Sequence, residues 1–262
     1  MLIDALAVHA DAPLLVSSHA GTVTRGEVRE RALEIADNCG PAFTGRPIGI
    51  RGRATFDNVA WLVATVRMGA LAVVLPLDGT ADDVEELELA GIVGERPFSV
   101  TGQPMPSDTG LVLFNRVGRG LTEANRHEWA DLVERLGPAR GVRGARWLLT
   151  EPMATFGGMH VLLEAILGRG TVCVPFPAAP REQLDAAAAA GVTHVSGTPA
   201  FFRFALATQA PGRRDWTPSQ ITVGGGPVPP DLIDDLREHF PQTRLTHRHE
   251  RRAFLTRPEL CW

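Results

Sequence analysis

The sequence contains no lysine and no tyrosine, so all 26 of its basic residues are arginine. Codon usage in a GC-rich genome explains most of this bias, but the absence of lysine still removes chemistry. A lysine can act as a compact phosphate clamp, as a Schiff-base amine or as a base with a tuned pKa. No step in the function of this protein can use such a group.

Positive charge, cysteine and long apolar runs are also scarce. The net charge of -4 argues against nucleic-acid binding driven by counterion release. Cys39, Cys173 and Cys261 are odd in number and widely spaced, which favours reduced thiols over a disulfide framework. No run approaches the roughly 20 apolar residues of a membrane-spanning helix, and the N-terminus lacks the basic region of a leader. These features predict a cytoplasmic protein without a membrane or nucleic-acid partner.

Strand patterns and helix patterns alternate along the 262 residues, a length that can bury a substantial core. A capping box of Thr24 and Glu27 marks the start of a helix that runs to about Asn38. The other predicted helices are 3–8, 56–68, 81–90, 123–136, 158–167, 181–190, 200–208 and 230–240. The predicted strands are 14–18, 48–50, 71–77, 111–114, 147–150, 171–175, 192–195 and 221–223.

This alternation predicts an α/β fold of mostly parallel sheets covered by helices, with right-handed crossovers. The polar segment 102–110 carries two prolines and two glycines and is the predicted boundary between two packed lobes. The lobes would span about residues 1–105 and 106–262.

Glycine-bearing turns follow three of the predicted strands. Ligands bind at the carboxyl ends of the strands in parallel sheets, where glycine admits a ligand and helix-start N–H groups favour an anion. Each turn alone also fits an ordinary tight βα turn, and a satisfied buried histidine is the favoured alternative for His160. The predicted substrate-binding residues are Thr155, Phe156, Gly157, His160, Ser196, Gly197, Gly224, Gly225, Gly226 and Pro227.

The chain carries, in this order, WLLTEPMATFGG at 147–158, GVTHVSGTPA at 191–200 and ITVGGGPVPPDL at 221–232. These segments resemble three elements of the N-terminal domain of the adenylate-forming superfamily, which includes acyl- and aryl-CoA ligases and peptide-synthetase adenylation domains. In that family the first element lines the acyl pocket, and the third is the turn that packs against the adenine and the acyl group. The resemblance implies the family's fold and a site for an acyl or aryl group.

The sequence departs from the family where ATP would bind. Members of the family carry a Ser/Thr/Gly loop ending in Pro-Lys-Gly, which grips the phosphates, and a helix start follows it. Here LVLFNRVGRGLTEANRH at 111–127 has a loop at 115–120 without a hydroxyl or a lysine, and a predicted helix start at 121–125. Arg116 and Arg119 could hold a single phosphate, although solvated surface arginines are the favoured alternative. ATP with magnesium is therefore not an expected cofactor.

The end of the chain also differs from the family, which has a Tyr-Gly-x-Thr-Glu turn whose Glu helps to hold magnesium. Glu250 is a poor match for that position. His247, His249 and Glu250 have metal-ligand chemistry, but arginines flank them and no metal site is predicted. The role of this tail stays open. No segment resembles the family's C-terminal domain, which supplies the adenylation lysine, so the sequence is interpreted as a truncated N-terminal domain.

Other catalytic arrangements are weak. Ser196 lacks a G-x-S-x-G elbow, and Cys173 lies in an apolar strand and is expected in the core. The favoured hypothesis is a protein that binds an acyl or aryl carboxylate, or its CoA or carrier-protein thioester, in specialised biosynthesis without autonomous adenylation. Its partners would be that small molecule and an acyl carrier protein or a ligase. The alternatives are a non-catalytic scaffold for a full-length ligase or carrier protein, and a ligase half completed in trans.

Overall fold

The computed structural model describes residues 1–17, 20–77, 89–94, 109–117, 121–135, 144–174, 180–208 and 217–247. Its α-helices are α1 Leu2–Ala7, α2 Arg25–Cys39, α3 Phe56–Met68, α4 Trp129–Arg135, α5 Phe156–Leu167, α6 Pro180–Ala189, α7 Pro199–Thr208 and α8 Pro230–His239. Its strands are β1 Pro13–Ser17, β2 Gly21–Thr24, β3 Pro47–Arg51, β4 Leu71–Leu75, β5 Gly91–Ile92, β6 Gly110–Val117, β7 Leu121–His127, β8 Arg146–Leu149, β9 Thr171–Val174, β10 His194–Gly197, β11 Gln220–Val223 and β12 Arg244–His247.

The strands form two sheets. The seven-stranded sheet has the order β12-β11-β10-β8-β9-β1-β2, and the five-stranded sheet has the order β5-β3-β4-β6-β7. All neighbours pair in parallel except β1 with β2 and β6 with β7, which are antiparallel. The predicted α/β fold with mostly parallel sheets covered by helices is therefore confirmed.

Helices lie between the sheets and also cover the outer face of the larger one. The main apolar core joins both sheets through α1, α2, α3 and α5. A second core packs α6, α7 and α8 against the other face of the seven-stranded sheet. Strands that are covered on both faces have continuous apolar runs, and this explains why the sequence predicted β4, β8 and β9.

The capping box at the start of α2 is confirmed. The Thr24 hydroxyl accepts a hydrogen bond from the Glu27 backbone N–H, and the Glu27 carboxylate accepts one from the Thr24 N–H. Next to this cap, Arg25 is fully buried and donates hydrogen bonds to backbone carbonyls of α1 and α5. One arginine thus ties three helices together.

The prediction of a helix over 123–136 is wrong at its start. Residues 121–127 form strand β7, which pairs antiparallel with β6, and the helix begins only at Trp129. The Leu-Thr-Glu-Ala pattern imitates a helix start, but pairing along the whole of β6 satisfies the backbone instead, and tertiary context overrides local propensity. The helix predicted at 81–90 lies largely outside the described residues.

Each sheet takes strands from both sides of residue 105. β1 and β2 belong to the sheet that also contains β8 to β12, and β6 and β7 belong to the sheet that begins with β3. The division into lobes near residue 105 stays a prediction about folding units, since the sheets themselves do not follow it. In the described residues, no helix has both the length and the apolar character needed to cross a bilayer.

Candidate functional site

The turns after β8, β10 and β11 lie at one edge of the larger sheet. These three strands are parallel and adjacent, in the order β11-β10-β8, so their carboxyl ends point the same way. A bond from the Thr150 hydroxyl to the Ser196 carbonyl, 2.5 Å long, joins the ends of β8 and β10. The Gly224 N–H donates to the Gly197 carbonyl at 3.0 Å and joins the ends of β10 and β11. The structure thus brings together the three predicted turns.

The turn between β8 and α5 carries a carboxylate at the start of the helix. Thr155 is the N-cap, and its hydroxyl accepts from the Gly158 N–H at 3.1 Å. The Glu151 carboxylate lies 3.2 Å from the same hydroxyl. A Cβ on Gly157 would lie 3.0 and 3.1 Å from the two carboxylate oxygens of Glu151, so this carboxylate packs directly on the glycine. The first turn of α5 thus already has a negative charge beside it.

Phe156 forms part of a column of three rings. Its ring centroid lies 5.8 Å from that of His127, at the end of β7, and 6.1 Å from that of His160. The His160 Nε2 lies 3.3 Å from Glu164 Oε1, and these two side chains are only 11% and 6% exposed. His160 therefore has the environment of a paired, largely buried histidine, and Phe156 packs between elements of both sheets.

The turns after β10 and β11 contact each other. Thr198 caps α7 by accepting from the Phe201 N–H at 3.1 Å, and its methyl group would lie 3.3 Å from a Cβ on Gly225. Gly225 has φ +77°, a left-handed conformation that favours glycine. Gly226 has open space around its Cα, and Pro227 is exposed. This part of the edge is accessible.

The turn after β8 also docks onto the smaller sheet. The Met153 N–H donates to the Gly52 carbonyl at 2.9 Å, and the Phe114 N–H donates to the Ala154 carbonyl at 3.2 Å. A Cβ on Gly52 would lie 2.6 Å from the Cβ of Ala154, so this approach requires glycine. The candidate site therefore lies where the two sheets meet.

The segment expected to hold phosphate is a β-hairpin. β6 and β7 pair up to Val117 opposite Leu121, which leaves a connection of only three residues, 118–120. Arg116 lies in β6 opposite Thr122, but its side chain is outside the described part of the chain, and Arg119 lies wholly outside it. Whether this segment binds phosphate therefore stays a prediction.

The histidine tail is described only in part. His247 ends β12 and pairs in register with Val223, beside the Gly224 turn, whereas His249 and Glu250 lie outside the described residues. Among the described residues, no group of three or more His, Cys, Asp or Glu side chains is arranged to hold a metal ion.

Other candidate groups belong to the core. Burial lowers the pKa of His194, whose ring lies 4.8 Å from that of Trp147 and whose Nδ1 is 2.8 Å from the Thr193 hydroxyl. Burial likewise raises the pKa of the Cys173 thiol. Cys39 and Cys173 are free thiols, and Cys261 lies outside the described residues.

An apolar crevice lies away from the predicted site. It is enclosed beneath α6, α7 and α8, on the helix-covered face of the larger sheet, and is lined by Leu184, Val195, Phe202, Ala205, Leu206, Ile221, Leu236 and Phe240. An acyl pocket beside the glycine turns therefore stays a prediction.

Sequence reasoning missed the side chains that organise this edge: Glu151, Thr150, Thr198 and His127. Thr198 directly precedes α7, which begins at Pro199, and threonine is a common N-cap residue. The predicted start at Ala200 hid this signal. Glu151 lies inside a quoted motif, yet its position over Gly157 depends on the fold of the turn and has no signal in the sequence.

Comparison with known proteins agrees with the resemblance read from the motifs. Residues 121–248 match the family described as AMP-binding enzyme. The chain is 28% identical over 221 residues to an olefin beta-lactone synthetase of Stenotrophomonas maltophilia. This chain is similar to AMP-binding enzymes over just under half of its length. The alignment spans 82% of this chain but only 38% of that relative.

Solved structures of adenylate-forming enzymes share the fold. The o-succinylbenzoate CoA synthetase of Bacillus subtilis, solved with its acyl-adenylate intermediate, matches with a TM-score of 0.72 at 15% identity, covering 91% of this chain and 56% of that one. The peptide-synthetase protein holo-PA1221, with adenylation and PCP domains, matches with a TM-score of 0.76 at 15% identity, covering 95% and 48%. At these identities the likeness concerns the fold alone.

Proposed function

We propose that this relative of the AMP-binding enzymes binds an acyl or aryl group, as a carboxylate or as a CoA or carrier-protein thioester, and does not adenylate it on its own. Its place would be in specialised biosynthesis. The observation that carries the proposal is the hairpin of β6 and β7, whose paired ends leave only three residues where the family's phosphate loop would be.

The physical reason concerns charge. Adenylation builds negative charge on phosphate oxygens, and preorganised donors and cations normally stabilise that charge by about 3 kcal/mol for each donor. A connection of three residues offers few backbone donors, and the 262 residues contain no lysine. Arg116 and Arg119 stay candidates for holding one phosphate, which is less than a triphosphate requires.

Binding of the acyl group is supported by the carboxyl edge of the larger sheet. Three turns meet there, Gly226 leaves open space, and such edges are where ligands bind in parallel sheets. The olefin beta-lactone synthetase, the CoA synthetase and the peptide-synthetase protein to which the chain is similar make an acyl or aryl ligand the natural choice.

A thermal-shift screen tests the binding. Octanoate, benzoate and their N-acetylcysteamine thioesters serve as probes, and a bound probe should stabilise the fold by about 2.7 kcal/mol at a hundredfold excess over its Kd. Gly226→Leu should abolish the shift, because the new side chain fills the open space. The variant should still fold, since no atom lies within 4 Å of the added Cβ. Ala188→Leu on the exposed face of α6 is the matched control and should leave the shift intact.

Pyrophosphate exchange tests the second half of the proposal. The chain with ATP, magnesium and the same acids should give no exchange above background. Robust exchange would contradict the proposal that the chain does not adenylate acids on its own. Arg116→Ala and Arg119→Ala would then show whether these arginines hold the phosphates. Exchange that appears only after mixing with a partner protein that carries the family's C-terminal domain, and that the partner does not give alone, would instead favour a ligase half completed in trans.

A further inference from the structure

Three of the backbone donors at the carboxyl edge are already engaged within the protein. The Gly158 N–H donates to the Thr155 hydroxyl, and the Phe201 N–H donates to the Thr198 hydroxyl, both at 3.1 Å. The Gly224 N–H donates to the Gly197 carbonyl. An anion that used one of these three N–H groups would have to displace an existing internal hydrogen bond, which leaves little to gain.

The carboxylate of Glu151 adds a negative charge at this edge. It lies 3.2 Å from the Thr155 hydroxyl and packs on Gly157, at the end of α5 where the helix dipole is positive. A carboxylate of the protein thus lies beside the position that would attract a ligand carboxylate. A second carboxylate brought beside it meets like charge, which strongly disfavours binding.

We propose that Glu151 sets the specificity of this edge, which takes an uncharged acyl derivative, such as a thioester, ester or amide, in preference to the free acid. This inference rests on the proposed function, because it concerns the same site. It narrows the ligand to an acyl group whose carboxyl has already been converted to a neutral form by another enzyme, and this agrees with a chain that does not adenylate acids itself.

Matched pairs of probes that differ in charge alone test the inference. Isothermal titration calorimetry would compare octanoate with octanamide and benzoate with benzamide. In the wild type, each amide should bind at least tenfold more tightly than its acid. Glu151→Gln removes the charge and keeps the shape and an acceptor oxygen, so acid binding should improve at least fivefold while amide binding changes less than twofold. Glu30→Gln, on an exposed position of α2, makes the same change in net charge and should have no effect.

The outcomes separate this inference from the proposed function. If the acids bind the wild type as tightly as the amides, or if Glu151→Gln leaves the ratio of the two affinities unchanged, the specificity role is wrong and acyl binding still stands. If neither acids, amides nor thioesters bind, the proposed function fails and the inference fails with it. Circular dichroism of Glu151→Gln establishes that the variant is folded.

Discussion

The buried guanidinium of Arg25 is predicted to be the most sensitive single position for stability. Arg25 is fully buried, and no described carboxylate lies in an ion pair with it. Its Nη2 donates to the Ile166 carbonyl at 2.6 Å and to the Ala5 carbonyl at 2.8 Å, and its Nε donates to the Val8 carbonyl at 3.2 Å. These carbonyls belong to the last turns of α1 and α5 and the residue after α1, where helices lack internal partners and carry partial negative charge.

Arg25→Met removes these bonds while keeping much of the apolar volume. A hydrogen bond to a charged group contributes about 1.5–3 kcal/mol, so loss of the two shortest bonds alone should cost about 3–6 kcal/mol. This is a large part of the roughly 5–15 kcal/mol that holds an ordinary domain folded. Arg25→Lys keeps the charge but has one nitrogen in place of the planar fork, so it should fall between the wild type and Arg25→Met.

Urea unfolding followed by circular dichroism measures these differences. The matched control is Arg31→Met on the same helix, which removes ion pairs with Glu34 and Asp57 that are partly exposed and contribute about 0–1 kcal/mol. A cost for Arg25→Met below about 1 kcal/mol, or equal to that of Arg31→Met, would refute the reasoning that helix-end carbonyls stabilise this buried charge.

Three further predictions concern residues around the core. Arg169 has φ +59° just after α5, and burial and then the charge of Arg169 lower the pKa of Arg25; Arg169→Gly should raise the urea-unfolding stability by about 1 kcal/mol, and Arg169→Ala, which keeps a Cβ, should gain less. Burial lowers the pKa of His194, so below about pH 6.5 the unfolded chain binds more protons at this residue than the folded chain does; thermal stability should fall from pH 7.5 to 5.5 in the wild type and in exposed His239→Gln, but less in His194→Gln. The raised pKa of Cys173 predicts that this thiol reacts with a disulfide reagent only after unfolding, and mass spectrometry of the native protein would detect any earlier labelling.

Most of the strand positions were predictable because they depend on patterns that local sequence carries. β4 and β9 are buried along their whole length and stand out as apolar runs, and α3 ends at Gly69 in the left-handed conformation that glycine provides. The short edge strands β2, β5 and β12 have no comparable signal. Their pairing is decided by the neighbouring strands, which lie far away in the sequence.

The hairpin of β6 and β7 shows why the start of one helix was misread. Leu121, Thr122 and Glu123 have the residue types of a helix start, and only a strand lying opposite them can reveal the alternative. The expectation that the loop is too short for a triphosphate came from a count of residues and not from a conformation, and it stays a prediction. The error in secondary structure therefore left the functional argument unchanged.

At the candidate site, the sequence could predict which turns meet, but it could not predict the local geometry of those turns. That the turns after β8, β10 and β11 meet at one edge follows from parallel strands alone, and this was predictable. The negative charge at that edge was not predictable, because the contact between Glu151 and Gly157 depends on how the turn before α5 folds. Sequence reasoning expected helix-start N–H groups to attract an anion, whereas the folded turn provides its own carboxylate there. The same glycines that suggested an anion site thus leave room for a carboxylate of the protein beside it, and the ligand class that we propose narrows from acids or thioesters to neutral acyl derivatives.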